Sequence, residues 1–363
     1  MTLTTGESMA PHLAGKKVLL TGGTGFVGRH LLPQLLAAGA EITCLTRAAS
    51  RTGHLPQGVA TAQADLTTGE GLEAALQGKD VVIHMAALLF GLGWQDYLRA
   101  NALAARSMTG VLAGLAAEGR LGDNFRFVLV SSLAATGPSG VAPGVGDFAP
   151  TAPVSAYGWS KMLTEQVLGR ALGQSLVTLR PPIIYGSGDK GLLPVFKGVI
   201  RAATAVSPGA GREFYVSAVH ATDMAQAVLC ACKPEARGVY HLSDGEAYTM
   251  SGFCEGMGAA MDKVMERATR RVRIVRMPLP VMACTAGLST AFAVMADAVV
   301  NRLTGHGLRR APAWNLDKYR EARQAGWLCD NSRICAELGF APRVNLEAGM
   351  TEAIEGYRRE GWL

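Results

Sequence analysis

The run Thr21-Gly22-Gly23-Thr24-Gly25-Phe26-Val27-Gly28 stands between an apolar strand-like stretch, Lys17-Val18-Leu19-Leu20, and a helix-like segment from His30 to Ala38. A stop at Gly39 and a second apolar run, Glu41-Ile42-Thr43-Cys44-Leu45, complete a β-α-β unit. In such a unit Gly22 supplies a tight turn, Gly25 lets the backbone approach a pyrophosphate, and Gly28 lets the helix pack closely on the strand. Phosphates then rest on the helix N-terminus, where unpaired N–H groups and the positive end of the dipole favour anions. Three spaced glycines alone would be an ordinary turn. The strand before them and the helix after them turn the run into a dinucleotide site, with Thr24, Phe26 and Val27 as further cofactor contacts.

Strand-like runs recur at 18–21, 42–45, 81–84, 127–131 and 176–179, each separated by a helix-like segment. That alternation predicts α/β architecture: a Rossmann-type, doubly wound parallel sheet with a smaller, mostly helical C-terminal substrate-binding region. The expected division is a dinucleotide-binding domain over 14–184, to which 216–243 returns, and a capping region over 185–215 and 244–363. At 363 residues and 49% hydrophobic, the chain can fill a core of that size. Right-handed crossovers put the C-terminal ends of the strands along one edge, where the chemistry should converge.

The seven cysteines are odd in number, and the closest pair, Cys230 and Cys232, lacks C-x-x-C spacing. Reduced, buried thiols and no metal site are expected. Met1 to Gly15 contains no signal-peptide core, which suits a cytoplasmic location. The net charge of +6 is mild, but Lys263, Arg267, Arg270, Arg271, Arg273 and Arg276 cluster just before an uncharged apolar stretch, Met277 to Ala296. Two prolines and many small residues argue against a spanning helix there. The favoured expectation is a buried or substrate-covering helix. The alternative is peripheral membrane contact through 263–300, at the inner face of a membrane, with the basic cluster on anionic headgroups. Nucleic-acid binding is not expected, because the cluster lacks an interleaved aromatic platform.

A second motif, Tyr157-Gly158-Trp159-Ser160-Lys161, places a phenol and an ammonium one helical turn apart on one face. A nearby cation favours the phenolate and tunes tyrosine for acid–base work. Together with the glycine run, His84-Met85-Ala86-Ala87, Ser131-Ser132 and Arg180-Pro181, it resembles the extended short-chain dehydrogenase/reductase superfamily, the NAD-dependent epimerase/dehydratase type. The resemblance covers nearly the whole chain. It implies that Tyr157 exchanges a proton with the substrate oxygen, that Lys161 holds the nicotinamide ribose and tunes Tyr157, and that Ser132 hydrogen-bonds the oxygen. Ser132 is preferred to Ser131 by its spacing to Gly137; a register shift of one would reverse the choice. The resemblance also makes Ala86, Ala87, Pro181 and Ile183 cofactor contacts, sets Asp65-Leu66 beside the adenine, and gives Asn101 a structural or proton-relay role. A homodimer built on the helices bearing Asn101 and Tyr157 would be usual for the superfamily.

At the end of the second strand an acid would accept both ribose hydroxyls of NAD, but Thr46-Arg47 stands there. Arg47 offers a charged donor fork suited to a 2′-phosphate, so NADP(H) is expected, with NAD as the alternative. Ser132 is followed by Leu133-Ala134 rather than the Asp-Glu pair of a hexose dehydratase. The diphosphate-gripping arginine of nucleotide-sugar epimerases is absent from the stretch Tyr215 to Asp223, with Arg212 further away. The loop Leu88 to Trp94 supplies an apolar lining. These residues are similar to the branch of 3β-hydroxysteroid dehydrogenases and dihydroflavonol reductases. The expected activity is NADP(H)-dependent interconversion of ketone and secondary alcohol on a lipid-, steroid- or isoprenoid-like small molecule. A nucleotide-sugar epimerase and a non-catalytic nucleotide-binding assembly protein are the alternatives.

Overall fold

The computed structural model describes residues 10–209, 211–266, 271–304 and 311–363. The apolar runs become β1 (Lys17–Thr21), β2 (Glu41–Thr46), β4 (Val81–His84), β5 (Arg126–Val130) and β6 (Leu176–Arg180), and a short polar edge strand, β3 (Ala60–Gln63), follows β2. Later come β7 (Ile183–Tyr185), β8 (Thr204–Pro208), β9 (Tyr215–Val216), β10 (Ala218–His220) and β11 (Gly238–His241). A seven-stranded sheet has the order β11-β6-β5-β4-β1-β2-β3, with every neighbouring pair parallel.

Strand periodicity sorts side chains to the two faces. Val18, Leu20, Ile83, Val128 and Val130 pack with Leu31, Leu35 and Val228 from the helices Phe26–Ala37 and Ala221–Ala231. Leu19, Val82, Phe127 and Leu129 pack with Met108, Leu112 and Leu168 from the helices Ala104–Ala117 and Ala156–Leu172. Every residue of β4, β5 and β6 is buried, as a parallel sheet covered on both faces requires. β3 escapes the run-based reading because it is polar and largely exposed at the sheet edge. β5 ends at Val130, so Ser131 and Ser132 leave the strand and enter the loop over its C-terminal end.

A second core gathers Tyr185, Phe196, Phe253, Met257, Ile354 and Tyr357, between the helices Leu193–Ala202, Met250–Val264 and Leu346–Arg359. Small strands finish it: β12 (Tyr248–Thr249) and β14 (Gly326–Trp327) flank β9, and β13 (Arg273–Met277) runs parallel to β8.

Two expectations are corrected here. The stretch Met277 to Ala296 is not a buried or substrate-covering helix. It begins a helix, Leu279–Thr304, on which only Met282, Ala286 and Ala293 are buried. The expectation failed because, apart from Met282, the surface touching the protein is made of small and hydroxyl-bearing residues while most of the large apolar ones are exposed. The cysteines differ too: Cys44, Cys230, Cys232, Cys254 and Cys329 are buried, but Cys284, on that same helix, is exposed. Within the basic cluster, Arg267 and Arg270 lie outside the described residues.

Candidate active site

The glycine loop takes its shape from close backbone approaches. Gly22 has φ +76°, a conformation that side chains disfavour, and a methyl there would come 2.9 Å from the Ala86 nitrogen. A methyl at Gly28 would come 2.1 Å from the Gly23 carbonyl oxygen. Gly28 therefore seats the helix on the loop's own backbone rather than on the strand. The helix opens at Gly25 with no side chain capping its first N–H groups, which leaves them available to an anion and fits a pyrophosphate. Thr24 and the half-buried Phe26 and Val27 lie along this turn, and the Thr24 carbonyl accepts a bond from His54 Nε2 at 3.3 Å.

The ends of β1 and β4 are knitted together beneath the loop. Thr21 Oγ1 accepts the Ala86 N–H at 3.2 Å and bonds His84 Nδ1 at 2.7 Å. Burial, with Lys161 adding, holds the His84 ring down to about 3, so it is a neutral, satisfied core imidazole. Ala86 and Ala87 follow on the loop surface. Just past the end of β2 Arg47 is exposed, its backbone N–H bonded to Ser50 Oγ at 3.0 Å. Asp65 Oδ1 accepts the N–H groups of Thr67 at 2.6 Å and Thr68 at 3.3 Å. The Thr67 bond is the main cause holding that carboxyl below its ordinary value, and the charge of Arg47 contributes. Leu66 packs half-buried against the core beside it.

The motif residues meet above β5. Ser155 caps the helix Ala156–Leu172 by accepting the Gly158 N–H at 3.0 Å, which aims Tyr157 and Lys161 inward from its first turns. Both are buried. Burial pushes the Tyr157 phenol well above its ordinary value, and the Ser132 hydroxyl beside it pulls the other way. Lys161 Nζ donates to the Val130 carbonyl at 2.8 Å, and burial lowers the ammonium to about 8 against the opposing charge of Glu165. Ser131 turns away instead: its hydroxyl bonds Glu165 Oε1 at 2.5 Å, and Glu165 forms a buried pair with Arg180. The Leu133 N–H donates to the Pro181 carbonyl at 2.8 Å, drawing the segment after β6 to the same place.

Asn101 sits, buried, in a stretch of π-helix, Leu98–Leu103. Its amide accepts the Leu88 N–H at 2.8 Å and donates to the Leu88 carbonyl at 3.3 Å and to Ser160 Oγ at 2.9 Å. It thereby ties the loop after β4 to the Tyr157 helix, the kind of local duty for which a π-turn is retained.

Sequence patterning missed a third contributor. The helix Leu316–Ala322, far along the chain, lies against the N-terminus of the Tyr157 helix. Asp317 accepts the N–H groups of Ala156 at 2.6 Å and Tyr157 at 3.2 Å, and Glu321 accepts the Ser155 hydroxyl at 2.7 Å. Lys318 Nζ pairs with Glu321 at 2.9 Å and stands 4.8 Å from the centre of the Tyr157 ring and 5.7 Å from that of Phe90. The available signal was only Asn315 followed by a short amphiphilic run, which marks a helix start and nothing about its partner.

Between the lobes lies a cleft of about 380 Å³ into which Ser132 and Tyr157 face. Its remaining wall is mostly apolar, including Pro182, Phe214, Val216, Met250 and Trp327, with Lys318 and Glu321 as its charged members. Pro181 and Ile183 line this cleft as well. The loop Leu88 to Trp94 does not. Leu88 instead packs on Tyr97 and Tyr157, so the apolar lining comes from the second lobe. Arg212 is engaged elsewhere, its guanidinium donating to the carbonyls of Arg323 at 2.6 Å and Gln324 at 2.9 Å.

Residues 18–242 match the model of the NAD dependent epimerase/dehydratase family. The chain belongs to this family. Within it, the chain is 31% identical to a ceramide reductase of Caulobacter vibrioides over 95% of this chain and 96% of that protein. It is 28% identical to a 4-hydroxy-2-methyl-3-oxo-4-farnesyl-3,4-dihydroquinoline-1-oxide ketoreductase of Stigmatella aurantiaca, over 92% of this chain and 94% of the other. The structure of an epimerase from Methanothermobacter thermautotrophicus superposes with a TM-score of 0.72 at 16% identity, covering 97% of this chain and 95% of that one, and shows the shared fold. This epimerase/dehydratase family member is an NAD(P)-dependent oxidoreductase.

Proposed function

We propose that the protein reduces a ketone to a secondary alcohol on a largely apolar, lipid-like molecule, using NADPH. The observation that carries this reading is the apolar cleft opening onto the Ser132–Tyr157 pair. The reductase and ketoreductase relatives, whose names include a ceramide and a farnesylated quinoline, support the substrate class. The engagement of Arg212 with backbone carbonyls speaks against a diphosphate clamp, and so against the epimerase alternative.

In this reading Gly22, Thr24, Gly25, Phe26, Val27 and Gly28 cradle the pyrophosphate, Asp65 and Leu66 flank the adenine, and Ala86 and Ala87 border the nicotinamide side. Pro181 and Ile183 serve the junction of cofactor and substrate. Arg47, permanently charged and exposed, receives the 2′-phosphate. The bound nicotinamide supplies the hydride that reaches the carbonyl carbon. Tyr157 supplies the proton to the carbonyl oxygen, and its burial keeps the phenol protonated at neutral pH, the form an acid needs. Ser132 donates a hydrogen bond to the oxygen as negative charge grows there. Lys161 orients the ribose and lends positive charge behind Tyr157.

The test follows NADPH absorbance with long-chain 3-keto amides, keto-sterols and nucleotide sugars as separate substrates. Oxidation by an apolar ketone is expected, with Tyr157→Phe lowering kcat by about 10²–10⁴-fold while nucleotide affinity stays nearly unchanged. A Phe variant retaining most turnover removes Tyr157 from the chemistry. Conversion of a nucleotide sugar with no net NADPH loss would replace the reductase reading with epimerisation.

A further inference from the structure

The helix Leu279–Thr304 is apolar over most of its surface and turns most of its large apolar side chains away from the folded body. At about 100° per residue, Val281, Cys284, Leu288, Phe292, Met295, Val299 and Leu303 form one stripe about 100° wide. That stripe is exposed: Leu288 at 73%, Phe292 at 70%, Met295 at 62% and Leu303 at 79%. The helix meets the protein through Met282, Ala286 and Ala293, with hydroxyl groups beside them and at the edge of the stripe. Thr285 Oγ1 accepts the Trp314 indole N–H at 3.1 Å, Ser289 donates to the Trp314 carbonyl at 2.7 Å, and Thr290 Oγ1 accepts the Leu316 N–H at 2.9 Å. Met282, small residues and hydroxyl groups hold the protein, and the large apolar residues of the stripe are mostly exposed among the described residues.

We propose that this stripe docks into the interface of an anionic lipid bilayer. Its charge surroundings select that occupant: 279–296 contains no acidic or basic residue, exposed Arg271 and Arg273 precede it beside Arg276, which pairs with Glu213, and exposed Arg302 in the last turn stands against the helix's one acid, Asp297. The hydrogen bonds at Thr285, Ser289 and Thr290 tie the first half of the helix to the 314–316 segment and so hold it against the folded body, which favours lying in the interface over crossing. The placement also gives docking a use. Met277, two residues before the helix, pairs with Pro208, which lines the cleft, and the helix packs on Leu316–Ala322, which carries Lys318 and Glu321 into the cleft wall. Docking would set the cleft mouth at the lipid surface. This link to substrate entry rests on the apolar-ketone reading, whereas docking itself rests on the helix alone.

The test is flotation of the purified full-length protein with vesicles of phosphatidylcholine alone or with one quarter phosphatidylglycerol, which needs no turnover. Flotation with the anionic vesicles is expected, weakened at high salt, and Leu288→Asp with Phe292→Asp should lower partitioning at least tenfold. NADPH binding by that variant checks its fold, since neither residue touches the cleft. A second readout is an environment-sensitive fluorophore on exposed Cys284, with Cys335 replaced by serine so that the exposed thiol is labelled selectively. A blue shift with anionic vesicles supports the proposal. Wild-type protein that stays at the bottom with anionic vesicles overturns it. So does a concentration-dependent dimer, abolished by the double substitution, that forms without any vesicle binding.

Discussion

Glu165 and Arg180 should be worth far more to each other than to the protein. Their side chains are 9% and 6% exposed, and the carboxylate accepts Arg180 Nε at 3.0 Å, Arg180 Nη2 at 2.5 Å and the Ser131 hydroxyl at 2.5 Å. Arg180→Met leaves a buried carboxylate with the Ser131 hydroxyl as its remaining hydrogen-bond partner and the Lys161 ammonium as its nearby positive charge, a loss of about 3–5 kcal/mol for a pair this well covered. Glu165→Met strands the guanidinium and should cost about as much. The double Met variant removes both charges and fills similar volume, so it should cost about 1 kcal/mol or less, giving a coupling of several kcal/mol. Urea unfolding at pH 7 with unchanged m-values measures all four corners of the cycle. The site supplies an independent readout. Glu165 raises the Lys161 ammonium, which burial otherwise lowers to about 8. The protonated lysine is present below that value and lost as pH rises through it. In Glu165→Gln the high-pH decline of kcat/KM should therefore move to lower pH. A single Arg180→Met loss below 1 kcal/mol, or a double variant costing the sum of its parts, would refute the argument that this pair is a buried unit.

Other consequences follow from the same geometry. Lys161→Met should abolish turnover yet raise stability at pH 7. The folded ammonium is lowered from 10.5 to about 8, so the buried charge costs up to ~3 kcal/mol below pH 8, a cost relieved as pH rises from about 8 to 10.5; urea unfolding at pH 7 and pH 10 measures both limbs. Arg47→Ala should raise KM for NADPH about tenfold and leave KM for NADH nearly unchanged, because one exposed charge-assisted contact is removed; equal effects on both would remove Arg47 from cofactor choice. Asp317→Ala leaves the Ala156 and Tyr157 N–H groups without their carboxylate and should cost about 2–4 kcal/mol in urea unfolding, with kcat falling because Tyr157 loses its anchor. Asp317→Asn should recover part of both, and an alanine variant with wild-type kcat would make the contact purely structural.

Where function rides on local backbone demands, the sequence was readable. Gly22 and Gly28 occupy positions where a methyl would strike backbone, and such positions leave a residue signature that spacing alone reveals. The strands β1, β2, β4, β5 and β6 were legible for the same reason, since burial on both faces writes continuous apolar runs. Tyr157 and Lys161 were legible as a pair because one helix sets their geometry, with four residues fixing a turn. The choice between Ser131 and Ser132 was harder, and the structure shows why it matters: adjacent residues leaving a strand diverge, one to Glu165 and the other to Tyr157. What patterning could not reach are contacts between residues far apart in the chain. Asp317 reaches the N–H groups of Ala156 and Tyr157 across some 160 positions, and no local period encodes that meeting. The long apolar stretch misled for a related reason. Apolar composition announces burial but not the medium, and only the contacts of Thr285, Ser289 and Thr290 with the 314–316 segment, with the exposure of Leu288, Phe292 and Met295, reveal which side faces the protein. The helix Leu316–Ala322 packs on the exposed helix, receives the Thr290 contact at Leu316 and caps the Tyr157 helix through Asp317, so a perturbation of the exposed helix has a short physical route to Tyr157. That continuity predicts that anionic vesicles, if they bind, should change kcat of the wild-type protein but not of Asp317→Ala, whose capping link is cut; an unchanged wild-type kcat on saturating vesicles would mean that the exposed helix and the tyrosine act independently.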